Sequence, residues 1–195
     1  MKNITVSGII LAALFLSFCL PQPGFASEAL RKTPFDHEGP YYPVTSREDI
    51  DYDLTRVRGR DASAKGEILH LSGVVVNTAG KPQENSIIEI WQTDPQGRYD
   101  HPGDPSPGKR DPDFQYWGAV RTGPDGTFYF KTLIPGGYQP RPAHIHFKVL
   151  RDGKAILTSQ IYFKKAADSS PPDLQTAVLQ QKTAGEYETF FRIVI

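Results

Sequence analysis

Short segments in which apolar and polar residues alternate fill most of the chain from Ile68 onward, and turn residues separate them. Alternation with a period of two is typical of strands that bury one face. The pattern predicts strands at Ile68–Val76, Ser86–Thr93, Tyr116–Thr122, Thr127–Leu133, His144–Leu150, Ala155–Phe163 and Thr189–Ile195. Between them, Gly123–Gly126 and Arg151–Lys154 predict hairpin turns. One short helix is predicted within residues 171–184.

This succession of strands predicts an all-β fold, a single β-sandwich of about seven to eight strands with long loops and an N-terminal arm. The arm, residues 27–66, is polar and irregular, yet Tyr41, Tyr42 and Ile50 make it unlike a disordered tail. We expect the arm to lie over the sandwich rather than to enter its core. Residues 67–195 form the predicted sandwich domain, and a chain of 195 residues suits one domain.

The first 26 residues have the pattern of a secretory signal peptide. An apolar run over residues 9–20 is followed by small residues at Gly24 and Ala26. Cleavage near Ala26 predicts an exported protein, periplasmic or secreted. It also removes Cys19, the one cysteine, so thiolate catalysis is excluded for the mature chain. Retention as an uncleaved membrane anchor and lipidation of Cys19 are the minor alternatives.

The charge balance argues against one class of partner. Lysine plus arginine equals aspartate plus glutamate, at 22 each, and no basic stripe is present. Nucleic acid is therefore not an expected partner. Glycine and proline, at 17 each, support a turn-rich β domain.

His144 and His146 are the sharpest chemical signal in the sequence. On a strand, residues i and i+2 point to one face about 7 Å apart, so both imidazoles can bind one metal while Ile145 packs into the core. Tyr138 precedes the pair and Tyr99 lies in a long loop. Phenolates are hard donors that suit Fe(III) better than Zn(II) or Cu(I). From the residues alone, ordinary sheet histidines and packing tyrosines remain the alternative.

Several motifs surround these residues. They are Gly39-Pro-Tyr-Tyr-Pro43, Leu71-Ser-Gly-Val74, Ile88-Glu-Ile-Trp-Gln92, Gly97-Arg-Tyr99, Asp111-Pro-Asp-Phe114, Arg121-Thr122, Pro135-Gly-Gly-Tyr138, Arg141-Pro-Ala-His-Ile-His-Phe147 and Gln160-Ile-Tyr-Phe163. Over residues 36–165 the chain resembles the intradiol ring-cleavage dioxygenases, closest to the protocatechuate 3,4-dioxygenase type. The segment Arg141–Phe147 is specific to this family by itself, and both tyrosines lie at the matching positions of the family pattern.

The resemblance implies one non-haem Fe(III) ion with four protein ligands: Tyr99, Tyr138, His144 and His146. It implies that Tyr138 is the axial ligand that leaves when substrate binds, whereas Tyr99 stays. Arg141 matches the family's arginine near the substrate ring, Gln160 the glutamine beside it, and Trp91 an aromatic of the substrate pocket. The implied reaction opens a catechol ring with O2 to a cis,cis-muconate-type diacid, at a site bordered by long loops.

Two features depart from the family pattern. The segment between Tyr138 and His144 is shorter than in the protocatechuate type, so the choice of catechol is not inherited, and export is unusual for the family. The arm could cover a neighbouring subunit of a homo-oligomer or close over its own site. Two other functions stay open: an exported β-sandwich that binds catechols or metal without turnover, and a copper or zinc protein built on His144 and His146.

Overall fold

The computed structural model describes residues 29–44, 50–167 and 173–195. The signal peptide predicted for residues 1–26 lies outside the described residues. Eight strands follow one another along the chain. They are β1 (Ile68–Val76), β2 (Ile87–Gln92), β3 (Trp117–Arg121), β4 (Thr127–Leu133), β5 (His144–Arg151), β6 (Lys154–Lys165), β7 (Thr176–Thr183) and β8 (Glu186–Val194).

The strands form one sheet in the order β3-β2-β5-β6-β7-β8-β1-β4, which folds over a shared hydrophobic core. Parallel pairing of β6 with β7 joins its two halves. Across the core, the rings of Phe147 in β5 and Phe191 in β8 lie 5.9 Å apart. No described residue is helical, and the prediction of an all-β sandwich is confirmed. Within these residues, therefore, no helix has the length and apolar character that a membrane crossing requires.

Strand β5 is buried on both faces where it begins, and this burial positions the chemical groups. Ile145 and Phe147 are fully buried in the core. Because side chains alternate along a strand, His144 and His146 point away from that core. They are nevertheless buried, at 2% and 4% exposure, so other parts of the chain must cover them.

The prediction of a short helix within residues 171–184 is wrong, because Thr176–Thr183 form β7. The leucine, glutamine, alanine and lysine residues of this segment favour a helix locally. Pairing overrides that propensity, since β7 lies between β6 and β8 and is paired with both. The next strand starts earlier than expected, at Glu186 instead of Thr189.

The described parts of the arm, residues 29–44 and 50–66, lie along the sandwich. The backbone amide of Asp36, for example, donates to the carbonyl of Thr158 in β6 at 3.0 Å. Leu54 departs from the expectation that the arm stays outside the core: its side chain is fully buried among the core residues. The arm therefore supplies part of the core as well as a cover for the sheet.

Candidate metal centre

The two histidines of β5 direct one nitrogen each to a common point. The Nε2 atoms of His144 and His146 lie 3.0 Å apart. His144 Nδ1 lies 2.6 Å from the carbonyl oxygen of Pro142, which can only accept, so Nδ1 carries the proton. A neutral imidazole with a proton on Nδ1 has its lone pair on Nε2. Local backbone geometry thus prepares His144 Nε2 as a ligand.

Tyr99 reaches the same point from the long loop after β2. Its Oη lies 3.2 Å from His144 Nε2 and 3.0 Å from His146 Nε2, and the residue is 3% exposed. Its backbone is held at both ends. The amide donates to Asp104 at 2.6 Å, and Arg110 donates to the carbonyl at 2.5 Å. Tyr99 is therefore a buried phenol on an anchored backbone.

Tyr138 lies in the turn before β5, at the more open side of the cluster. Its ring centroid is 5.7 Å from that of Tyr99 and 5.7 Å from that of His144. Its amide donates to the carbonyl of Arg141 at 2.9 Å, which closes the turn. The structure thus brings all four residues predicted as ligands into one cluster, while their role in binding metal stays a prediction.

The donor atoms fit a single metal ion. Tyr99 Oη and the Nε2 atoms of His144 and His146 are 3.0–3.2 Å from one another. Two ligands bonded to one ion at about 2.1 Å, with a right angle between the bonds, also lie about 3 Å apart. Among the described residues, no cluster of three or more histidine, cysteine, aspartate or glutamate side chains is present. A donor set of imidazoles and phenol oxygen matches a hard, trivalent ion.

Burial keeps the donor groups uncharged in the metal-free protein. It lowers the pKa of His144, and it lowers the pKa of His146 to about 2, so both lone pairs are available at neutral pH. Burial, with a contribution from Tyr138, raises the pKa of Tyr99. A metal must therefore displace the phenolic proton of Tyr99, which a trivalent ion favours most.

Arg141 is held by a small polar network beside the cluster. Its guanidinium donates to Gln160 Oε1 and, at 2.7 Å, to Tyr162 Oη. Gln160 Nε2 donates to the carbonyl of His37 at 3.0 Å, and Tyr162 Oη lies 3.2 Å from Asp36 Oδ2. Strand β6 and the arm therefore fix one positive charge next to the four predicted ligands.

Tyr162 was not among the residues predicted for the site, although alternation could have found it. Across β5 and β6, His144 is paired with Tyr162 and His146 with Gln160. Paired residues of an antiparallel ladder share a face, so Tyr162 must share the face of the histidines. The sequence signal for Tyr162 is its position two residues after Gln160, because residues i and i+2 of a strand point to the same face.

Trp91 and the arm pack against the side chains of the site and bury them. The indole is 1% exposed and stacks on His146 with ring centroids 4.8 Å apart and an angle of 10°. Gly39 of the arm lies above the same ring, since a Cβ there would be 3.5 Å from its Cε1 atom. The Tyr41 ring lies 5.0 Å from that of Tyr99. The arm thus closes over the site of its own chain.

Comparison with known proteins places this geometry in context. A family model described as "Dioxygenase" matches residues 37–189. The chain is 36% identical over 135 residues to the protocatechuate 3,4-dioxygenase beta chain of Burkholderia cepacia, covering 63% of this chain and 57% of that one. It is 33% identical over 145 residues to the chlorocatechol 1,2-dioxygenase of Cupriavidus pinatubonensis, covering 65% and 53%. The chain spans about half the length of these curated relatives.

Solved structures show the same fold. The dioxygenase domain of a dioxygenase–carbohydrate-binding protein fusion from Streptomyces sp. SirexAA-E superposes with a TM-score of 0.66 and 30% identity, over 85% of this chain and 98% of that one. The intradiol ring-cleavage dioxygenase from Tetranychus urticae superposes with a TM-score of 0.66 over 85% and 95%, at 22% identity. The second likeness concerns the fold alone.

Proposed function

The chain belongs to the intradiol ring-cleavage dioxygenase family, and on that premise we propose that it opens catechol-type rings with O2 at one non-haem Fe(III) ion. One observation carries the proposal: Tyr99 Oη and the Nε2 atoms of His144 and His146 converge within 3.0–3.2 Å, and all three residues are buried. The names of the relatives, protocatechuate 3,4-dioxygenase and chlorocatechol 1,2-dioxygenase, support the catecholic substrate class.

Four residues would hold the ion: Tyr99, Tyr138, His144 and His146. When bound, Fe(III) would supply the Lewis acidity that draws electron density from a deprotonated catechol and makes a ring carbon reactive toward O2. Both oxygen atoms would enter the product, a cis,cis-muconate-type diacid. The protein's part is to orient the catechol, take up one of its protons and exclude water.

The two tyrosines differ in the freedom that these tasks require. Tyr99 is buried and its backbone is anchored by Asp104 and Arg110, so it suits a permanent ligand. Tyr138 is half-buried in a turn between the exposed residues Gly137 and Gln139. We assign to Tyr138 the role of the ligand that leaves and accepts a catechol proton at its Oη.

Arg141 supplies the fixed charge of the proposed site. Its guanidinium is held by Gln160 and Tyr162 and therefore needs no rearrangement when negative charge develops on the bound ring. Preorganised charges of this kind stabilise a transition state more than mobile ones. Gln160 would act through Arg141, because it holds the guanidinium and is itself held by the backbone of His37.

The visible spectrum of the purified protein tests the proposal. We expect the iron-loaded protein to be red-brown, with a band that shifts when catechol or protocatechuate is added without O2. Admitting O2 should then consume one O2 per ring and form a diacid. A protein that stays colourless after ferric reconstitution contradicts the metal site. A coloured protein that binds catechol but consumes no O2 contradicts the enzyme and leaves a catechol-binding protein.

A matched pair of tyrosine substitutions sharpens this experiment. Tyr99→Phe should weaken and shift the band and weaken iron retention, because it removes one of the two phenol oxygens and little volume. Tyr129→Phe makes the same chemical change on β4, where the ring is 39% exposed, and should leave the band unchanged. Equal spectra for the two variants would show that Tyr99 is not a ligand.

Export is a separate part of the proposal and rests on the sequence of residues 1–26 alone. We propose cleavage near Ala26 and a periplasmic or secreted enzyme that meets catechols outside the cytoplasm. Fractionation of the producing cell, with mass spectrometry of the mature N-terminus, tests this. A cytoplasmic protein that retains residues 1–26 contradicts export, and a lipid on Cys19 contradicts free release.

A further inference from the structure

The two histidines of the site are held in different ways. His144 has its second ring nitrogen hydrogen-bonded to the carbonyl of Pro142. The equivalent atom of His146, Nδ1, is buried and has no hydrogen-bond partner among the described residues. Metal-binding histidines almost always use this second nitrogen to fix the ring. The only polar contacts of the His146 ring are therefore those of Nε2 within the donor cluster, and a contact other than a hydrogen bond at Nδ1 must set the ring plane among the described residues.

Trp91 is in the position to do so. It is paired with His146 across β2 and β5, so the two side chains stand next to each other on one face. The rings are nearly parallel, at 10°, and their centroids are 4.8 Å apart, which is an offset-stacked arrangement. At 1% exposure, the indole is enclosed by the protein.

The arm also contacts the indole. The ring of Tyr42 meets that of Trp91 edge to face, at 5.0 Å and 89°. Tyr42 is itself anchored. Its Oη donates to Glu89 at 2.9 Å, and the ammonium of Lys148 lies 3.4 Å from its ring centroid. Glu38 of the arm pairs with the same ammonium at 2.6 Å. These contacts hold the ring of Tyr42 in place beside Trp91.

We infer that Trp91 is a positioning residue for His146, which fixes the imidazole plane by stacking in place of the hydrogen bond that His144 has, with Tyr42 as its support. The inference rests on the proposed metal site. An imidazole bound to a cation is electron-poor, and the face of an indole attracts such a ring more than it attracts a neutral one. Trp91 therefore favours the metal-bound form of His146 and raises the affinity for iron.

The test compares three variants with the wild type. Trp91→Met fills the space with a flexible chain but offers no ring. Trp91→Phe keeps an aromatic face. Trp117→Met is the matched control, because Trp117 is paired with Trp91 on the neighbouring strand and also approaches Tyr42, with no ring contact to His146 among the described residues. Each protein is titrated with Fe(III) against a chelator, and the imidazole signals of His146 are recorded by NMR in the metal-free state.

Trp91→Met should weaken iron binding by about 10- to 100-fold, the range typical of groups that orient a metal-bound histidine. It should also broaden the imidazole signals of His146. Trp91→Phe should restore most of both properties, and Trp117→Met should change neither, although it lowers stability. Equal iron affinities in Trp91→Met and Trp117→Met, with unchanged signals from His146, would overturn the inference.

The inference can also be tested if Trp91→Met does not fold or if the wild type binds no Fe(III). If Trp91→Met does not fold, Tyr42→Leu removes the support from outside the core. The inference then requires broader His146 signals and weaker iron binding, and unchanged values overturn it. If the wild type binds no Fe(III), the proposed function fails, whereas the NMR comparison in metal-free protein still decides whether Trp91 sets the plane of His146.

Discussion

The backbone of Gly97 packs directly against that of Gly137: a Cβ on Gly97 would lie 2.5 Å from the Gly137 carbonyl oxygen. Gly136 is equally close, since a Cβ there would lie 2.5 Å from the Gly97 amide nitrogen. Gly97 lies two residues before Tyr99, and Gly136 and Gly137 are the two residues before Tyr138. Contact between two backbones without side chains therefore sets the distance between the two phenols.

Gly97→Ala should separate the two loops and damage the predicted iron site. The added methyl meets the Gly137 carbonyl, and the φ of +80° at Gly97 costs an alanine about 1–2 kcal/mol besides. We expect a lower melting temperature and loss of most of the visible band after iron loading. Gly59→Ala is the control, because Gly59 has the same φ of +80° and a Cβ there would meet no other described residue within 4 Å, its chain neighbours aside. Loss of the band in both variants would mean that φ strain, not loop contact, is responsible.

The stability of the metal-free protein should fall as the pH falls below about 6.5, the ordinary histidine pKa. Burial lowers the pKa of His144 and of His146, the latter to about 2, so the folded state stays unprotonated where the unfolded chain takes up protons. Each such histidine costs up to about 1.4 kcal/mol of unfolding free energy per pH unit. Urea titrations of metal-free protein across this range measure the slope. His146→Gln should make the dependence of the unfolding free energy on pH less steep. An unchanged dependence contradicts the attribution of this effect to His146.

Tyr162→Phe should impair turnover without weakening iron binding. The substitution removes the oxygen that accepts from Arg141 at 2.7 Å, and a hydrogen bond to a charged group contributes about 1.5–3 kcal/mol. We expect kcat/KM to fall about tenfold or more, with the visible band unchanged. Tyr187→Phe, whose oxygen lies 3.4 Å from Glu67 at the surface, should leave both unchanged. A full loss of the band in Tyr162→Phe would show a role in metal binding instead.

Lys148 and Tyr42 should be energetically coupled, because the Lys148 side chain is 12% exposed and its ammonium lies 3.4 Å from the Tyr42 ring centroid. A double-mutant cycle with Lys148→Met and Tyr42→Leu should give a coupling of about 2 kcal/mol in urea unfolding, as desolvated cation–π pairs do. The exposed pair Lys182 and Glu188, at 4.0 Å, should give about 0–1 kcal/mol. Equal couplings would mean that this contact does not hold the arm.

Much of the fold could be predicted from the sequence, because alternation and turn residues are local properties. The predicted bounds of Ile68–Val76 and Thr127–Leu133 are those of β1 and β4. The same alternation predicted that the two histidines of β5 share a face. It failed at β7, where the residues favour a helix and only pairing with β6 and β8 makes a strand.

The sequence by itself determined seven of the eight strands, the shared face of His144 and His146, and the family. Only the tertiary structure decided which distant groups complete the site. Tyr99, 45 residues before His144, reaches its Nε2 atom because the loop is anchored on the turn before β5. Likewise, the stacking of Trp91 depends on β2 lying beside β5 in the sheet. Strand order and loop packing are non-local, and no periodicity along the chain encodes them.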